Sequence, residues 1–180
     1  MRTEYLHSFL GFNKLRFNVA RMAKAIRKSG IEFDAIAFRG NSGALLASPL
    51  ATLLKKHLIL VRKNTADSHS YTTVEGCSKR NCRYIIVDDL IASGKTVQEI
   101  FCNISNELES PVLVGIFMVY GKTYDLETAI ATYKFEAPIY VLRNNIVRRN
   151  KTPRCKSKKT YTFTGPALKI GRQMELVPEN

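Results

Sequence analysis

The amino-acid sequence predicts an α/β fold in which helices cover both faces of a doubly wound parallel sheet. Short apolar runs, such as residues 58–61 and 84–87, alternate with stretches of helical periodicity. Such runs are typical of strands buried on both faces, and their alternation with helices indicates a doubly wound sheet. Several runs end in charged residues or glycine, which predicts a binding site at the carboxyl edge of the sheet.

Length and composition predict one reduced, cytoplasmic domain. The 180 residues suffice to bury roughly two-thirds of the unfolded chain's surface, and we expect a core over about 11–142 with termini at 1–10 and 143–180. No apolar stretch is long enough to cross a bilayer, so no membrane partner is expected. The four cysteines, at irregular spacing, favour ordinary thiols over a metal site; they are Cys77, Cys82, Cys102 and Cys155.

The first half of the chain predicts two helices and two strands. Residues 11–28 are amphipathic with helical spacing, and Ser29-Gly30 ends this helix. Residues 33–38 form a buried strand that leads into a loop over 39–43 containing Arg39 and Gly40. A helix over 44–56 follows, in which Pro49 marks a kink or a first turn, so that its start could lie near Ser48. The strand at 58–61 ends in Arg62-Lys63.

The second half repeats the alternation after a polar stretch. Residues 64–81 have little periodicity and predict a long loop or a weak hairpin. A strand over 84–87 ends at two acids, and a helix over 96–108 follows. We predict further strands at 112–120 and 139–142, separated by a helix over 126–134.

The stretch after the 84–87 strand contains the highest concentration of candidate functional residues. Asp88 and Asp89 offer carboxylates that accept hydrogen bonds from sugar hydroxyls. The next residues feed a helix N-terminus, where amide groups and hydroxyls form a phosphate site; they are Ala92, Ser93, Gly94, Lys95 and Thr96. A P-loop needs glycine where Asp89 stands, which disfavours a P-loop phosphotransferase. A plain strand end with a capped helix remains an alternative.

This pattern resembles the phosphoribosyl pyrophosphate (PRPP) signature of type I phosphoribosyltransferases, and it is most similar to adenine-type members. The resemblance implies transfer of ribose 5-phosphate from PRPP to a nucleobase, with a purine favoured, and release of pyrophosphate. It implies a catalytic role for Asp88 and Asp89, a 5′-phosphate loop from Ala92 to Thr96, and Mg²⁺ bound through PRPP, water and the two acids. The remaining implied contacts are Arg39, Gly40, Arg62 and Lys63 for pyrophosphate, the latter two also catalytic; His69, Ser70 and Tyr71 in a lid; and Ile91 and Lys122 at the base.

The same resemblance implies a small hood from the chain termini and a homodimer. The net charge of +13 adds an alternative, since polyanions bind clustered cations. The segment from Arg143 to Arg172 holds ten Lys or Arg residues and no acid. The alternative function is therefore a PRPP-binding regulator of the same fold that binds RNA or DNA through its basic face.

Overall fold

A computed structural model describes residues 11–63, 72–77, 79–91, 93–121, 132–133, 136–142 and 146–148. Within these residues seven strands form one sheet. The strands are β1 (Ala35–Arg39), β2 (His57–Val61), β3 (Val74–Gly76), β4 (Arg83–Ile91), β5 (Val112–Gly121), β6 (Ile139–Val141) and β7 (Ile146–Arg148). Three helices accompany them: α1 (Phe12–Ser29), α2 (Gly40–Leu54) and α3 (Lys95–Glu107).

The sheet has the order β3-β2-β1-β4-β5-β6-β7. In this order, the five central strands run parallel to one another; they are β2, β1, β4, β5 and β6. The outer strands β3 and β7 pair antiparallel with β2 and β6. The chain passes from β1 to β2 on one side and later places β4 on the other side of β1, so the topology reverses direction between β1 and β4. This is the doubly wound α/β fold that the sequence predicts.

The helices divide between the two faces of the sheet. Alternate residues of a strand point to opposite faces, and in β1 Ile36 and Phe38 pack with α1 and α2, whereas Ala35 and Ala37 pack with α3. The amphipathic helix α1 ends at Gly30, whose φ of 68° gives the left-handed turn that terminates the helix. Burial of a large aliphatic side chain contributes about 2 kcal/mol, so both faces add to stability.

Helix α2 begins earlier than the sequence predicts. We expected a loop over 39–43 and a helix start at Ala44 or near Ser48, but the helix begins at Gly40 and contains Pro49 in its interior. The expectation followed from the weak helix propensity of glycine, asparagine and serine and from the proline. The chain passes directly from β1 into α2, and the packing of α2 against the sheet outweighs the weak helix propensity of its first residues.

Strand β4 is longer than predicted and a final strand was missed. We expected a strand over 84–87 that ends before the acids, but β4 spans Arg83–Ile91 and pairs with β5 through Asp88 and Leu90. Strand β6 ends at Val141 rather than at residue 142, and β7 follows it. The helix predicted over 126–134 is described only at 132–133. No described helix is long and apolar enough to cross a membrane.

Candidate active site

A cleft of about 290 Å³ lies at the carboxyl edge of the sheet, where β1 and β4 lead into α2 and α3. The residues that line it come from these two connections and from the end of β2. They are Arg39, Gly40, Asn41, Ser42, Lys63, Asp88, Asp89, Leu90, Ile91, Ser93, Gly94, Lys95, Thr96 and Val97. A more open depression of about 530 Å³ lies at the opposite edge, near Arg83 and Pro138. Only the first lies at the topological reversal, where ligands bind in sheets of this kind.

Two buried carboxylates form the floor of the cleft. Asp88 is 5% exposed and Asp89 is 3% exposed. Burial raises the pKa of Asp88 to about 6, although the Asp89 N–H group, 2.9 Å from Asp88 Oδ1, and the charge of Lys63 oppose this rise. Burial also raises the pKa of Asp89. Asp89 Oδ2 is buried without a hydrogen-bond partner in the described part of the chain, so its capacity to accept a hydrogen bond is unused.

Lys63 brings a positive charge against the start of α2. Gly40 has a φ of +70°, and a Cβ atom built on it would lie 3.3 Å from Lys63 Cε and 3.5 Å from Lys63 Nζ. The absence of a side chain at Gly40 therefore makes room for the lysine. Because Lys63 also lowers the pKa of Asp88 by its charge, the ammonium group acts on the cleft from the end of β2.

The N-termini of α2 and α3 border the cleft, and the residue that precedes each helix makes no side-chain capping hydrogen bond. Gly94, with a φ of 77°, precedes α3, and Arg39 precedes α2. Neither first turn contains an acid. Ser93 Oγ accepts a weak hydrogen bond of 3.4 Å from the Lys95 N–H group. The first-turn N–H groups of a helix lack intrahelical partners and carry partial positive charge, so both ends suit an anion.

Arg39 is already paired with an acid, Glu99, that none of the sequence motifs includes. Its Nη1 atom donates to Glu99 Oε2 on α3, and its Nε is buried without a partner among the described residues. Glu99 Oε1 also lies 4.0 Å from Lys95 Nζ. Lys95 and Glu99 are four residues apart, which places both on one helix face. This spacing is the sequence signal for the contact between Lys95 and Glu99, but not for the contact with Arg39.

Arg62 lies away from the cleft lining. Its Nε donates to Glu75 Oε1 at 2.7 Å, across the β2–β3 pair, and this bond raises the pKa of Arg62. Ile91 lines the cleft and is almost fully buried. Ala92, His69, Ser70, Tyr71 and Lys122 lie outside the described residues, as does most of the segment from Arg143 to Arg172.

The donor set of the described residues offers no preformed metal cage. No three His, Cys, Asp or Glu side chains cluster there in a way that could hold a metal ion. The adjacent Asp88 and Asp89 could share a cation only with ligands from elsewhere, such as water or a bound phosphate. The arrangement can thus hold a molecule with two anionic groups and hydroxyl donors between them.

Comparison with known proteins gives a match to a family model and to two relatives by sequence. Residues 2–162 match the family model described as PRTase-CE. Adenine phosphoribosyltransferases from two strains of Ureaplasma parvum are 35% identical over 103 residues, which cover 49% of this chain and 59% of each relative. The chain thus spans less than two-thirds of the length of these relatives.

Solved structures share the fold at low identity. UMP synthase from Leishmania donovani has a TM-score of 0.61 at 21% identity and covers 74% of this chain and 28% of its own. Adenine phosphoribosyltransferase from Saccharomyces cerevisiae has a TM-score of 0.60 at 19% identity, with 74% and 81% covered. Orotate phosphoribosyltransferase from Francisella tularensis has a TM-score of 0.58 at 15% identity, with 74% and 68% covered. The resemblance to type I phosphoribosyltransferases is confirmed, and the chain belongs to the PRTase-CE family.

Proposed function

We propose that this protein is a phosphoribosyltransferase that transfers ribose 5-phosphate from PRPP to a nucleobase, with a purine favoured, and releases pyrophosphate. One observation carries the proposal: a single cleft combines two buried acids, a lysine and two uncapped helix N-termini. PRPP has a phosphate at one end, a diphosphate at the other and ribose hydroxyls between them. The name of the Ureaplasma parvum relatives supports the reaction and the purine.

The N-terminus of α3 would hold the 5′-phosphate. Ser93, Gly94, Lys95 and Thr96 belong to the cleft lining, and their backbone amide groups and hydroxyls are the donors that a phosphate requires. Ala92 completes this loop in the sequence. Binding a phosphate that does not react supplies energy that orients the reacting C1′ atom.

Asp88 and Asp89 would hold the ribose. Asp89 Oδ2 lacks a partner within the described chain, and the 2′ and 3′ hydroxyls are donors of the kind it needs. As the bond from C1′ to pyrophosphate breaks, the ribose gains positive charge, and nearby carboxylates offset this charge. Hydroxyl donors also favour the ionised form of both acids, against the burial that raises their pKa values.

The N-terminus of α2 would hold the pyrophosphate. Gly40 contributes a close backbone approach, Lys63 a compact charge, and Arg39 a planar fork of donors. These groups stabilise the charge that the leaving group gains when it takes the bonding electron pair. Arg62 is paired with Glu75 and would support this site from the edge of the sheet.

The acids also fit a divalent cation that arrives with PRPP. Asp88 and the unpartnered Oδ2 of Asp89 suit metal-bound water, the usual way in which proteins hold Mg²⁺ beside a phosphate. When bound, Mg²⁺ neutralises charge on the pyrophosphate oxygens. His69, Ser70 and Tyr71 remain candidates for a lid, and Ile91 and Lys122 for the base site. A homodimer and a cytoplasmic location also remain predictions.

Purified protein with PRPP, Mg²⁺ and a panel of nucleobases tests the reaction. We expect pyrophosphate release that depends on one base, preferably adenine or another purine, and a matching nucleoside monophosphate. Replacement of both acids by asparagine should abolish release while the protein remains folded by circular dichroism. Release without a base, or release that survives the double replacement, would contradict the proposal.

A PRPP-binding regulator that holds RNA or DNA is the second candidate function. One observation favours it: α1 carries six Lys or Arg residues and no acid, and it exposes the aromatic rings of Phe12 and Phe17. Basic and aromatic side chains on one surface suit single-stranded nucleic acid, and the sequence from Arg143 to Arg172 adds ten Lys or Arg residues. Salt-dependent RNA binding together with PRPP binding, but without turnover, would support the regulator over the enzyme.

A further inference from the structure

Two cysteines outside the cleft lie in direct contact. Cys77 follows β3 and Cys82 precedes β4, and their Sγ atoms are 3.6 Å apart. Cys82 is fully buried, whereas Cys77 is partly exposed. Both pack against the core cluster on the α3 side of the sheet. From the sequence alone, these residues are predicted to be ordinary thiols, because their spacing fits no metal motif.

The turn between the two cysteines is anchored from both sides. The Cys77 N–H group donates to Leu58 O at 3.0 Å, which ties it to β2. The Asn81 N–H group donates to Glu109 O at 3.0 Å, and Asn81 adopts a φ of 54°. Because both ends of the turn are held by backbone hydrogen bonds, the contact between the sulfur atoms is set by the fold.

A polar network reinforces this anchoring. Asp34 Oδ1 lies 2.8 Å from Lys79 Nζ within the turn, and Asp34 Oδ2 accepts the Arg83 N–H group at 2.9 Å. The Lys79 bond is the main cause that lowers the pKa of Asp34, so the carboxylate is ionised at neutral pH. The Asp34 side chain thus bonds both to the turn between the cysteines and to Arg83, the first residue of β4.

We propose that Cys77 and Cys82 form a reversible intramolecular disulfide by exchange with a small disulfide such as oxidised glutathione. The Cys77 thiolate attacks one sulfur of oxidised glutathione, and one glutathione thiolate leaves. The Cys82 thiol then gives its proton to the released glutathione thiolate, and its sulfur attacks the Cys77 sulfur and displaces the second glutathione, which takes up the proton that Cys77 lost. Two protein thiols are oxidised and one small disulfide is reduced to two thiols.

The environment of each sulfur determines this order of events. Burial raises the pKa of Cys82 to about 12, so at neutral pH Cys82 keeps its proton until Cys77 has reacted. The partly exposed Cys77 is therefore the group that meets the oxidant. Because a disulfide bond measures about 2.05 Å, the two sulfurs need to approach by only about 1.5 Å.

The bond would tie the edge strand β3 to the start of β4. Strand β3 carries Glu75, the partner of Arg62, and β4 carries the two acids of the cleft. The inference does not depend on the proposed reaction, because the sulfur contact and the packing of the turn exist without any ligand. Its tests therefore follow the thiols and the fold rather than turnover.

Trypsin gives a direct test because it cleaves after Lys63, Lys79, Arg80 and Arg83. Residues 64–79, with Cys77, and residues 81–83, with Cys82, then separate unless a disulfide joins them. We incubate the folded full-length protein with oxidised glutathione, block free thiols with iodoacetamide, digest it and measure the peptides by mass spectrometry. A linked pair of these peptides that dithiothreitol separates would support the proposal. A stable glutathione adduct on Cys77, two blocked free thiols, or links to Cys102 or Cys155 instead would overturn it.

Three variants keep the outcome interpretable. Cys102→Ser is the matched control, since Cys102 is also partly buried and free, and it should leave the linked pair intact. Cys77→Ser and Cys82→Ala should each abolish the link. Oxidation should raise the Tm of the wild type by about 5 °C, and this rise should vanish in Cys77→Ser even if Cys82→Ala folds poorly. An equal rise in Cys77→Ser would overturn the proposal.

Discussion

Arg39, which lines the candidate active site, forms an ion pair with Glu99 that joins the end of β1 to the second turn of α3. The arginine side chain is only 12% exposed, and that of Glu99 is 39% exposed. In the absence of a ligand, the arginine that would bind pyrophosphate is thus held by a carboxylate of the protein itself. A diphosphate bound as proposed would share this arginine with Glu99.

Glu99→Gln is therefore expected to tighten pyrophosphate binding. Removal of the negative charge frees Arg39 and lessens repulsion of the ligand, with an effect of about 1 kcal/mol or about fivefold in Kd. Isothermal titration with magnesium pyrophosphate measures it. Glu107→Gln is the matched control, because it makes the same charge change on α3 at a residue that contacts Thr73. Weaker binding in Glu99→Gln would mean that Glu99 chiefly orients Arg39.

Asp88 should make the stability of the unliganded protein depend on pH. Its pKa is about 6 in the folded state against an ordinary value of 3.8, so the folded state binds more protons between about pH 4 and 6. Stability then falls as pH rises through this window, by on the order of 3 kcal/mol. Urea unfolding of the wild type and of Asp88→Asn over this range checks the sign. The difference between the two proteins should grow with pH, and a difference independent of pH would contradict the buried carboxylate.

Gly40 and Gly30 provide a matched pair for the close approach of Lys63. Both have a left-handed φ, of +70° and +68°, but an added Cβ meets Lys63 at Gly40 and nothing within 4 Å at Gly30. Alanine at either position should cost about 1 kcal/mol of unfolding free energy. Only Gly40→Ala should also weaken PRPP binding, since it displaces Lys63. Equal PRPP affinities in the two variants would show that the lysine position is unimportant.

Lys63 and Arg62 are expected to differ although they are adjacent in sequence. Lys63 lines the cleft, whereas Arg62 pairs with Glu75 at the sheet edge. Lys63→Met should weaken PRPP binding about tenfold, as expected for loss of a charge that contacts phosphate. Arg62→Met should change it less than about threefold, because a half-exposed ion pair contributes little. Fluorescence titration or calorimetry with PRPP ranks the two, and the reverse order would indicate that Arg62 turns into the cleft when ligand binds.

The sequence predicts most elements whose local pattern agrees with their burial. Helix α1 has apolar residues at helical spacing and a glycine stop, and β2 is an apolar run with charges at its end. In these segments propensity, periodicity and tertiary packing favour the same structure. The position of the cleft could be predicted for the same reason, because the parallel strands place their carboxyl ends on one edge.

The errors lie where tertiary packing or long-range pairing overrides local preference, or where an element is too short to show a pattern. Paired acids normally end a strand, yet β4 continues through Asp88 and Asp89 and buries both. Helix α2 begins at Gly40, in a stretch with poor helix propensity. The Arg39–Glu99 pair spans 60 positions, so no local pattern could reveal which partner the arginine takes. Edge strand β7 has three residues, too few for a periodicity.

The neighbouring position of β1 and β4 has a consequence for the size of ligand that the cleft accepts. Helices α2 and α3 follow these two strands and pack on opposite faces of the sheet. Hydrogen-bonded strands lie about 4.8 Å apart, so the connections that lead from these strands into α2 and α3 start close together. A ligand that contacts both helix N-termini therefore has to fit the short span between two adjacent strands.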